Sequence, residues 1–225
     1  MLEASSFVEL EGLLKRYFGE VAVNLRIFRE TSAPLERAYA FNFNSFELLI
    51  ANEQSLSRVM GFLLDPKAPH GQGIAFLKSF FKKVLERVIP GFVSPQDSDL
   101  EKARVRLEYL TSGGRRIDLV IDLPGVRIAI ENKPWANDGD LQISDYHDFL
   151  KLQGKPGWLC YLTPEGRSSE SAGAAKAGKD YHCLSYQKDL LLWLGACLKD
   201  CRADRIRHFI EDFEGYIQTH FSTDI

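Results

Sequence analysis

Two acidic residues and a lysine lie on neighbouring stretches of this sequence, in an arrangement that suits metal-assisted hydrolysis. Asp118 lies on the first stretch, and Glu131 and Lys133 lie at the end of the second. Carboxylate oxygens are the ligands that Mg²⁺ and Mn²⁺ prefer. A cation held by them polarises a phosphate and lowers the pKa of its bound water, while a nearby ammonium group orients that water or offsets developing charge. This chemistry needs no covalent nucleophile.

Two short strands joined by a turn are predicted to bring these residues together. Apolar and polar residues alternate over 117–122 and again over 126–131, which is the period of half-buried strands. If the turn is centred on Pro124-Gly125, residues that face each other have numbers that sum to 249, so Asp118 faces Glu131. Opposed residues have Cβ atoms about 4.5–5.5 Å apart. A Pro-Gly turn is not typical of tight hairpins, so a bulge that shifts the pairing by one residue stays open.

The other predicted elements build a layered domain around this hairpin. A third strand is predicted over 103–110, a buried strand over 157–163 and a short strand over 181–185. Apolar residues at helical spacing predict helices over 7–18, 74–89, 141–152, 189–199 and 205–218. The segment 24–40 contains Thr31, Ser32 and Pro34 and is predicted as an irregular polar connection, and the acidic segment 94–101 is predicted as a surface loop. This order predicts an α/β fold with a mixed central β-sheet flanked by helices.

A further acid, Glu53, is predicted at or just before the start of another helix, which ends at Asp65-Pro66. Asn52 is a candidate N-cap for this helix. Glu53 is a candidate metal ligand, although an acid in a first turn is also favoured by the helix dipole alone. His70 follows in a turn, where it either contacts phosphate or positions a water, or else fixes the turn through a structural hydrogen bond.

Composition indicates an ordinary globular protein. The chain has 225 residues, of which 45% are hydrophobic and 26% charged, with a formal net charge of -3. We expect one domain over 1–225, with 1–40 as an N-terminal helical extension and 189–225 as C-terminal helices. No apolar run is long enough to cross a bilayer and no secretory signal is evident, so a cytoplasmic protein without a membrane partner is expected. Cys197 and Cys201 are four residues apart, a spacing that zinc sites use, but no second pair of ligands completes a tetrahedral set, so the four cysteines are expected to be free thiols.

The net acidity weakens a nucleic-acid-binding interpretation without excluding it, because local basic patches decide phosphate contacts. Arg115 and Arg116 form one such patch, and each is equally compatible with a solvated surface. Gln142 and Tyr146 are four residues apart and share one face of their predicted helix. Asp122 faces Arg127 across the hairpin and is predicted to form a cross-strand salt pair.

Together these residues resemble the PD-(D/E)xK nuclease superfamily, whose shared core is a restriction-endonuclease-like α-β-β-β-α-β unit. Asp118 matches its metal-binding Asp, and Glu131-Asn132-Lys133 matches the (D/E)-x-K element. The resemblance implies that Glu53, Asp118 and Glu131 bind Mg²⁺ or Mn²⁺, joined by the backbone carbonyl of Asn132, and that Lys133 serves the attacking water.

The resemblance extends to a bacterial nuclease-like group and covers roughly 46–194. Gln142 and Tyr146 match a Gln-x-x-x-Tyr element that lies near the nucleic acid or supports the site, and His70 lies in a matching His-Gly-x-Gly segment. Arg116-Ile117 stands where the Pro that names the superfamily precedes the Asp, a position that varies widely in the superfamily. Members of such groups often serve phage defence or DNA processing, which is an analogy at the level of fold.

The leading hypothesis is a metal-dependent nuclease, with DNA favoured over RNA as its partner and with homo-oligomer formation left open. The main alternative is a catalytically inactive module that keeps the nuclease fold and binds or senses nucleic acid. A third interpretation is a carboxylate-metal hydrolase of small phosphoesters. Asp118 and Glu131 are also compatible with surface acids paired to Arg116 or Arg127, and Gln142 and Tyr146 with a packing pair.

Overall fold

The computed structural model describes residues 2–40, 43–48, 52–135 and 141–221. Contacts divide the chain into two compact units, Met1–Phe43 and Asn44–Ile225. The expectation of one domain with an N-terminal extension stays a prediction. Among the described residues, no helix combines the length and apolar composition needed to cross a membrane.

The first unit contains one long helix, α1, at Leu2–Tyr39. The prediction of a short helix over 7–18 followed by an irregular connection over 24–40 was therefore wrong, because the helix continues through Thr31, Ser32 and Pro34. Thr and Ser lower the helix propensity only slightly, and although Pro34 has no backbone N–H to donate, the residues on either side of it continue the helix. Ala40, with a φ of 47°, ends the helix.

The second unit contains a five-stranded sheet and the remaining helices. The strands are β1 Arg104–Leu110, β2 Arg116–Asp122, β3 Arg127–Asn132, β4 Gly157–Thr163 and β5 His182–Ser185. The helices are α2 Ser45–Leu48, α3 Glu53–Leu64, α4 Ala75–Phe80, α5 Glu86–Val88, α6 Asp97–Leu100, α7 Gln142–Lys151, α8 Leu191–Asp200 and α9 Asp204–Phe221. Two π-helical segments, Phe81–Leu85 and Tyr186–Leu190, connect α4 to α5 and precede α8.

The strands lie in the order β1-β2-β3-β4-β5, and the sheet is mixed. β1, β2 and β3 pair antiparallel, while β3, β4 and β5 pair parallel. The observed β2–β3 pairs run from Leu119 opposite Ile130 to Asp122 opposite Arg127, so their numbers sum to 249 as predicted and no bulge shifts the register. Asp118 and Glu131 are the next residues outward on the two strands.

Buried side chains pack on both faces of the sheet. The larger cluster includes residues of α3, α4, α8 and α9 with the apolar side chains of one sheet face, such as Leu119 and Ile130. The smaller cluster joins α7 to Val120, Ala129 and Tyr161 on the other face. The predicted α/β class, with helices flanking a mixed sheet, is thus confirmed.

Two local features test other expectations. The segment 94–101, predicted as a surface loop, contains the one-turn helix α6, because buried Leu100 holds it against the core. The predicted free thiols are confirmed: Cys160, Cys197 and Cys201 are buried and Cys183 is half-buried, and none forms a disulfide.

Candidate metal centre

Three carboxylates converge where the N-terminus of α3 meets β2 and β3. Glu53 is the first residue of α3, Asp118 lies in β2 and Glu131 in β3. One oxygen from each carboxylate lies within 4.8 Å of the others. The structure thus brings together the three acids that the sequence analysis proposed, although Glu53 is 65 residues distant from Asp118 in the chain.

A capping box fixes the start of α3 and therefore the position of Glu53. The Asn52 side chain accepts a hydrogen bond from the Ser55 backbone N–H at 2.8 Å, and the Ser55 hydroxyl accepts one from the Asn52 backbone N–H at 2.8 Å. The predicted Asn52 cap is confirmed. Further along α3, a Cβ added to Gly61 would lie 3.0 Å from Leu107 of β1, so glycine allows the helix to pack closely on the sheet.

Asp118 is buried and is oriented by the strand beside it. Its Oδ2 accepts a hydrogen bond of 2.7 Å from the backbone N–H of Asn132. Burial raises the pKa of Asp118 to about 6, although that hydrogen bond and the charge of Lys133 both act to lower it. The carboxyl group thus holds a proton more tightly than a solvated aspartate does.

Glu131 is the most deeply buried of the three acids, with 1% of its surface exposed. Its Oε1 forms an ion pair with Lys133 Nζ at 2.6 Å, and its Oε2 accepts no hydrogen bond from any residue that the structure describes. Burial and the neighbouring Asp118 carboxylate raise the pKa of Glu131 well above its ordinary value. A buried carboxylate oxygen without a donor is costly unless a cation binds it, so this set of donors fits a divalent metal.

Lys133 connects two of the acids. Its Nζ lies 2.6 Å from Glu131 Oε1 and 3.0 Å from Glu53 Oε1, and the side chain is buried. Burial acts to lower the pKa of Lys133, but the Glu131 carboxylate outweighs it and raises this pKa. With three ionised carboxylates and one ammonium group, the cluster has a net charge of -2, which complements a divalent cation.

Asn132 holds the site together from the middle of the Glu-Asn-Lys element. Its side-chain amide donates to the backbone carbonyl of Glu53 at 3.2 Å and to Ser57 Oγ at 3.0 Å. The buried Tyr186 hydroxyl donates to Asn132 Oδ1 at 2.8 Å. Ser57 and Tyr186 were not among the candidate site residues. Ser57 could have been found, because it lies four residues after Glu53 on the same helix face.

Gln142 and Tyr146 form a hydrogen-bonded pair on α7. The Gln142 side-chain amide donates to the Tyr146 hydroxyl at 2.8 Å, and that hydroxyl donates to the backbone carbonyl of Arg116. The buried tyrosine therefore anchors the start of β2, two residues before Asp118. The Arg116 side chain itself is exposed, with its guanidinium 4.0 Å from Glu108 of β1.

His70 is buried in the turn that follows α3. Its Nδ1 accepts a hydrogen bond from the Gln72 backbone N–H at 3.0 Å, so its Nε2 carries the proton and donates to the Asp65 carbonyl at 2.9 Å. Burial lowers the pKa of His70, which favours the neutral ring. Both ring nitrogens therefore form hydrogen bonds within the turn. This arrangement corresponds to the structural hydrogen bond that the sequence analysis gave as one of the alternatives for His70.

The predicted cross-strand salt pair is confirmed at the other end of the hairpin. Arg127 Nε lies 3.1 Å from Asp122 Oδ1, and Lys155 also contacts that carboxylate. Burial acts to raise the pKa of Asp122, but hydrogen bonds from Arg127 and Lys155 lower it overall. Asp122 is thus held by two cationic side chains, and its pKa shifts in the opposite direction from that of Glu131.

Comparison with known proteins identifies a family. A family model described as the PD-(D/E)XK nuclease superfamily matches residues 43–213. The matched range contains all three acids, Lys133 and the whole sheet, and it begins after α1. No curated protein and no solved structure gave a significant match to the chain.

Proposed function

This chain belongs to the PD-(D/E)XK nuclease superfamily, and on that premise we propose that it is an active metal-dependent nuclease that hydrolyses phosphodiester bonds in DNA. The single observation that carries the proposal is the buried Glu131 carboxylate, which has Asp118 and Glu53 beside it and lacks a hydrogen-bond donor for one oxygen. The negative charge of this site and its carboxylate oxygen without a donor complement a divalent cation, so they favour a catalytic role over a purely structural one.

In this proposal, Glu53, Asp118 and Glu131 hold Mg²⁺ or Mn²⁺, joined by the backbone carbonyl of Asn132. The cation would polarise the scissile phosphate and make a water molecule more acidic. Lys133 orients the attacking water and offsets charge that develops on the phosphate. Its ion pairs with Glu53 and Glu131 fix the ammonium group at the cluster, so little reorganisation precedes the reaction.

Nucleic acid is proposed to approach past the start of β2. Arg116 presents an exposed guanidinium there, while the Gln142–Tyr146 pair holds its backbone carbonyl. Phosphate contacts from single arginines position a strand without reading its sequence. A net charge of -3 is compatible with this arrangement because a phosphate contact depends on the local charge around Arg116 and not on the net charge of the whole molecule.

The first test is cleavage of DNA and RNA, single-stranded and duplex, by the purified protein with Mg²⁺ or Mn²⁺. We expect metal-dependent cleavage of at least one DNA form and no cleavage after chelation. Glu131→Gln should abolish both cleavage and Mn²⁺ binding measured by calorimetry, because it replaces a buried carboxylate, whose Oε2 has no donor among the described residues, with a neutral amide.

The matched control is Glu101→Gln, the same change at an exposed position just after α6. It should leave cleavage and Mn²⁺ binding unchanged. Loss of activity in both variants, or equal activity in Glu131→Gln and the unchanged protein, would contradict the assignment.

The alternative is a nuclease-fold module that binds nucleic acid without cleaving it, and the net acidity of the chain is the observation that favours it. Mn²⁺ binding together with cleavage excludes this alternative. Nucleic-acid binding with intact Mn²⁺ binding and no cleavage of any substrate form would favour it instead.

The hydrogen bond from Tyr186 to Asn132 gives a prediction about support of the site. Tyr186→Phe leaves Asn132 Oδ1 without its buried donor, so we expect a loss of about 10-fold in metal affinity or kcat. The measurement is Mn²⁺ calorimetry together with steady-state cleavage. Tyr216→Phe makes the same change at another buried tyrosine of the same cluster and should have little effect on either quantity.

A further inference from the structure

The helix α1, which lies outside the family match, carries a heptad pattern. Residues at alternating spacings of four and three form one stripe along it: Leu10, Leu14, Tyr17, Val21, Asn24 and Phe28. In the sequence the same spacing extends back to Phe7 and forward through Thr31 to Leu35. A sustained repeat of 3.5 residues is the signature of a helix that winds around another helix.

Apolar side chains along and beside this stripe are exposed to solvent. Leu10, Leu13, Leu14, Tyr17, Phe18 and Leu25 each have between 47% and 64% of their surface exposed. Charged residues of the same helix lie off the stripe, and among them Arg26 and Glu30 lie 3.9 Å apart. The helix is therefore amphipathic.

The part of the unit Met1–Phe43 that the structure describes contains no second helix or strand against which α1 could pack this face. Intrinsic helix propensity gives a single helix in water little stability, and most of the stability of helices in proteins comes from packing an apolar face against another element. A second element is needed to cover the stripe.

We propose that α1 pairs in parallel with α1 of a second copy of this chain and makes the protein a dimer. A heptad stripe is complementary to itself, and a parallel pair places the two Asn24 side chains opposite each other, where their amides can hydrogen-bond. The exposed apolar side chains of α1 offer on the order of 800 Å² per copy, which is about what one partner buries in a stable interface.

The test is the mass of the full chain in solution at micromolar concentration, measured by light scattering or sedimentation. We expect twice the chain mass of 25.5 kDa. Leu14→Asp should raise the dissociation constant by about 100-fold or more, because it buries two opposed carboxylates among apolar side chains. Val23→Asp, an equally exposed position off the stripe, should leave the dimer intact.

Orientation is tested with Asn24→Cys, which should form a disulfide-linked dimer on mild oxidation, whereas Val23→Cys should not. A single-chain mass for the unchanged protein, a larger assembly, or equal effects of Leu14→Asp and Val23→Asp would overturn the proposal, as would linkage at Val23 in place of Asn24. Mn²⁺ binding, measured in every variant, shows that the metal centre is intact, so this result is independent of the proposed nuclease function.

Discussion

Replacing Lys133 with methionine is expected to lower the rate of DNA cleavage by about 10²–10³-fold or more, because it removes the fixed positive charge beside the reacting phosphate. Methionine keeps the length and apolar stem of the buried lysine but cannot pair with Glu131 or Glu53. Mn²⁺ binding should persist, since all three carboxylates remain. The effect should therefore appear in kcat, with the metal dissociation constant changed far less.

Lys78→Met is the control for this variant. Lys78 also forms a close ion pair, 2.7 Å from Asp97, but that pair is on the surface and distant in sequence from the acids. Lys78→Met should leave cleavage unchanged, because an exposed ion pair contributes little to the stability of the protein. If Lys133→Met retained full activity with bound metal, the proposed role of Lys133 would be wrong. If it lost metal binding, Lys133 would instead organise the carboxylates.

The second large effect concerns the stability of the metal-free protein, which should fall as the pH rises. Asp118 has a pKa of about 6 in the folded protein and 3.8 as its ordinary value. The folded state therefore binds the proton more tightly, so this contribution is fully present below about pH 4 and is lost as the pH rises through 6. The difference corresponds to about 3 kcal/mol at pH 8. The pKa of Glu131 is also raised in the folded protein, so its effect on stability has the same sign.

Asp118→Asn should accordingly stabilise the chelator-treated protein at pH 8 by up to about 3 kcal/mol, measured by denaturant unfolding. The amide oxygen can still accept the hydrogen bond from the Asn132 backbone N–H, while the buried charge is gone. The same variant should lose Mn²⁺ binding and cleavage. The gain should shrink at pH 5, where Asp118 is protonated in the unchanged protein.

Asp122→Asn tests the sign of this effect. Its pKa is lowered in the folded state by Arg127 and Lys155, against the effect of burial, so its charge stabilises the fold above its ordinary pKa. Asp122→Asn should therefore destabilise the protein at pH 8. If both variants destabilised the metal-free protein equally, the carboxylate cluster would not be a source of electrostatic strain.

The sequence by itself determined the central hairpin. Alternation of apolar and polar residues predicted which side chains share a face, and a turn centred on Pro124-Gly125 predicted the register that the structure shows, with Asp118 and Glu131 one residue beyond the Leu119–Ile130 pair. The structure excluded the bulge that the sequence left open. These are local properties of strands with a side-chain period of two. Asn52 as a cap for the following helix was equally local.

The prediction failed for the second half of α1 because Thr31, Ser32 and Pro34 indicate a break in a helix, whereas the backbone remains helical through them. Periodicity reports burial on one face, and near Thr31 and Pro34 the pattern weakens while the backbone stays helical. The segment 94–101 was likewise predicted as a loop and contains a helical turn, because one buried residue, Leu100, is enough to hold that turn against the core.

Only the tertiary structure decided how the site is assembled. The position of Glu53 depends on close packing of α3 against the sheet, and the support of Asn132 depends on Ser57 and Tyr186 from two other elements. The structure also placed His70 among hydrogen bonds of its own turn. Contacts between residues far apart in the chain leave no periodic signal, and burial of Glu131 without a donor for its Oε2, which makes the site fit a metal, is a property of the packed protein alone.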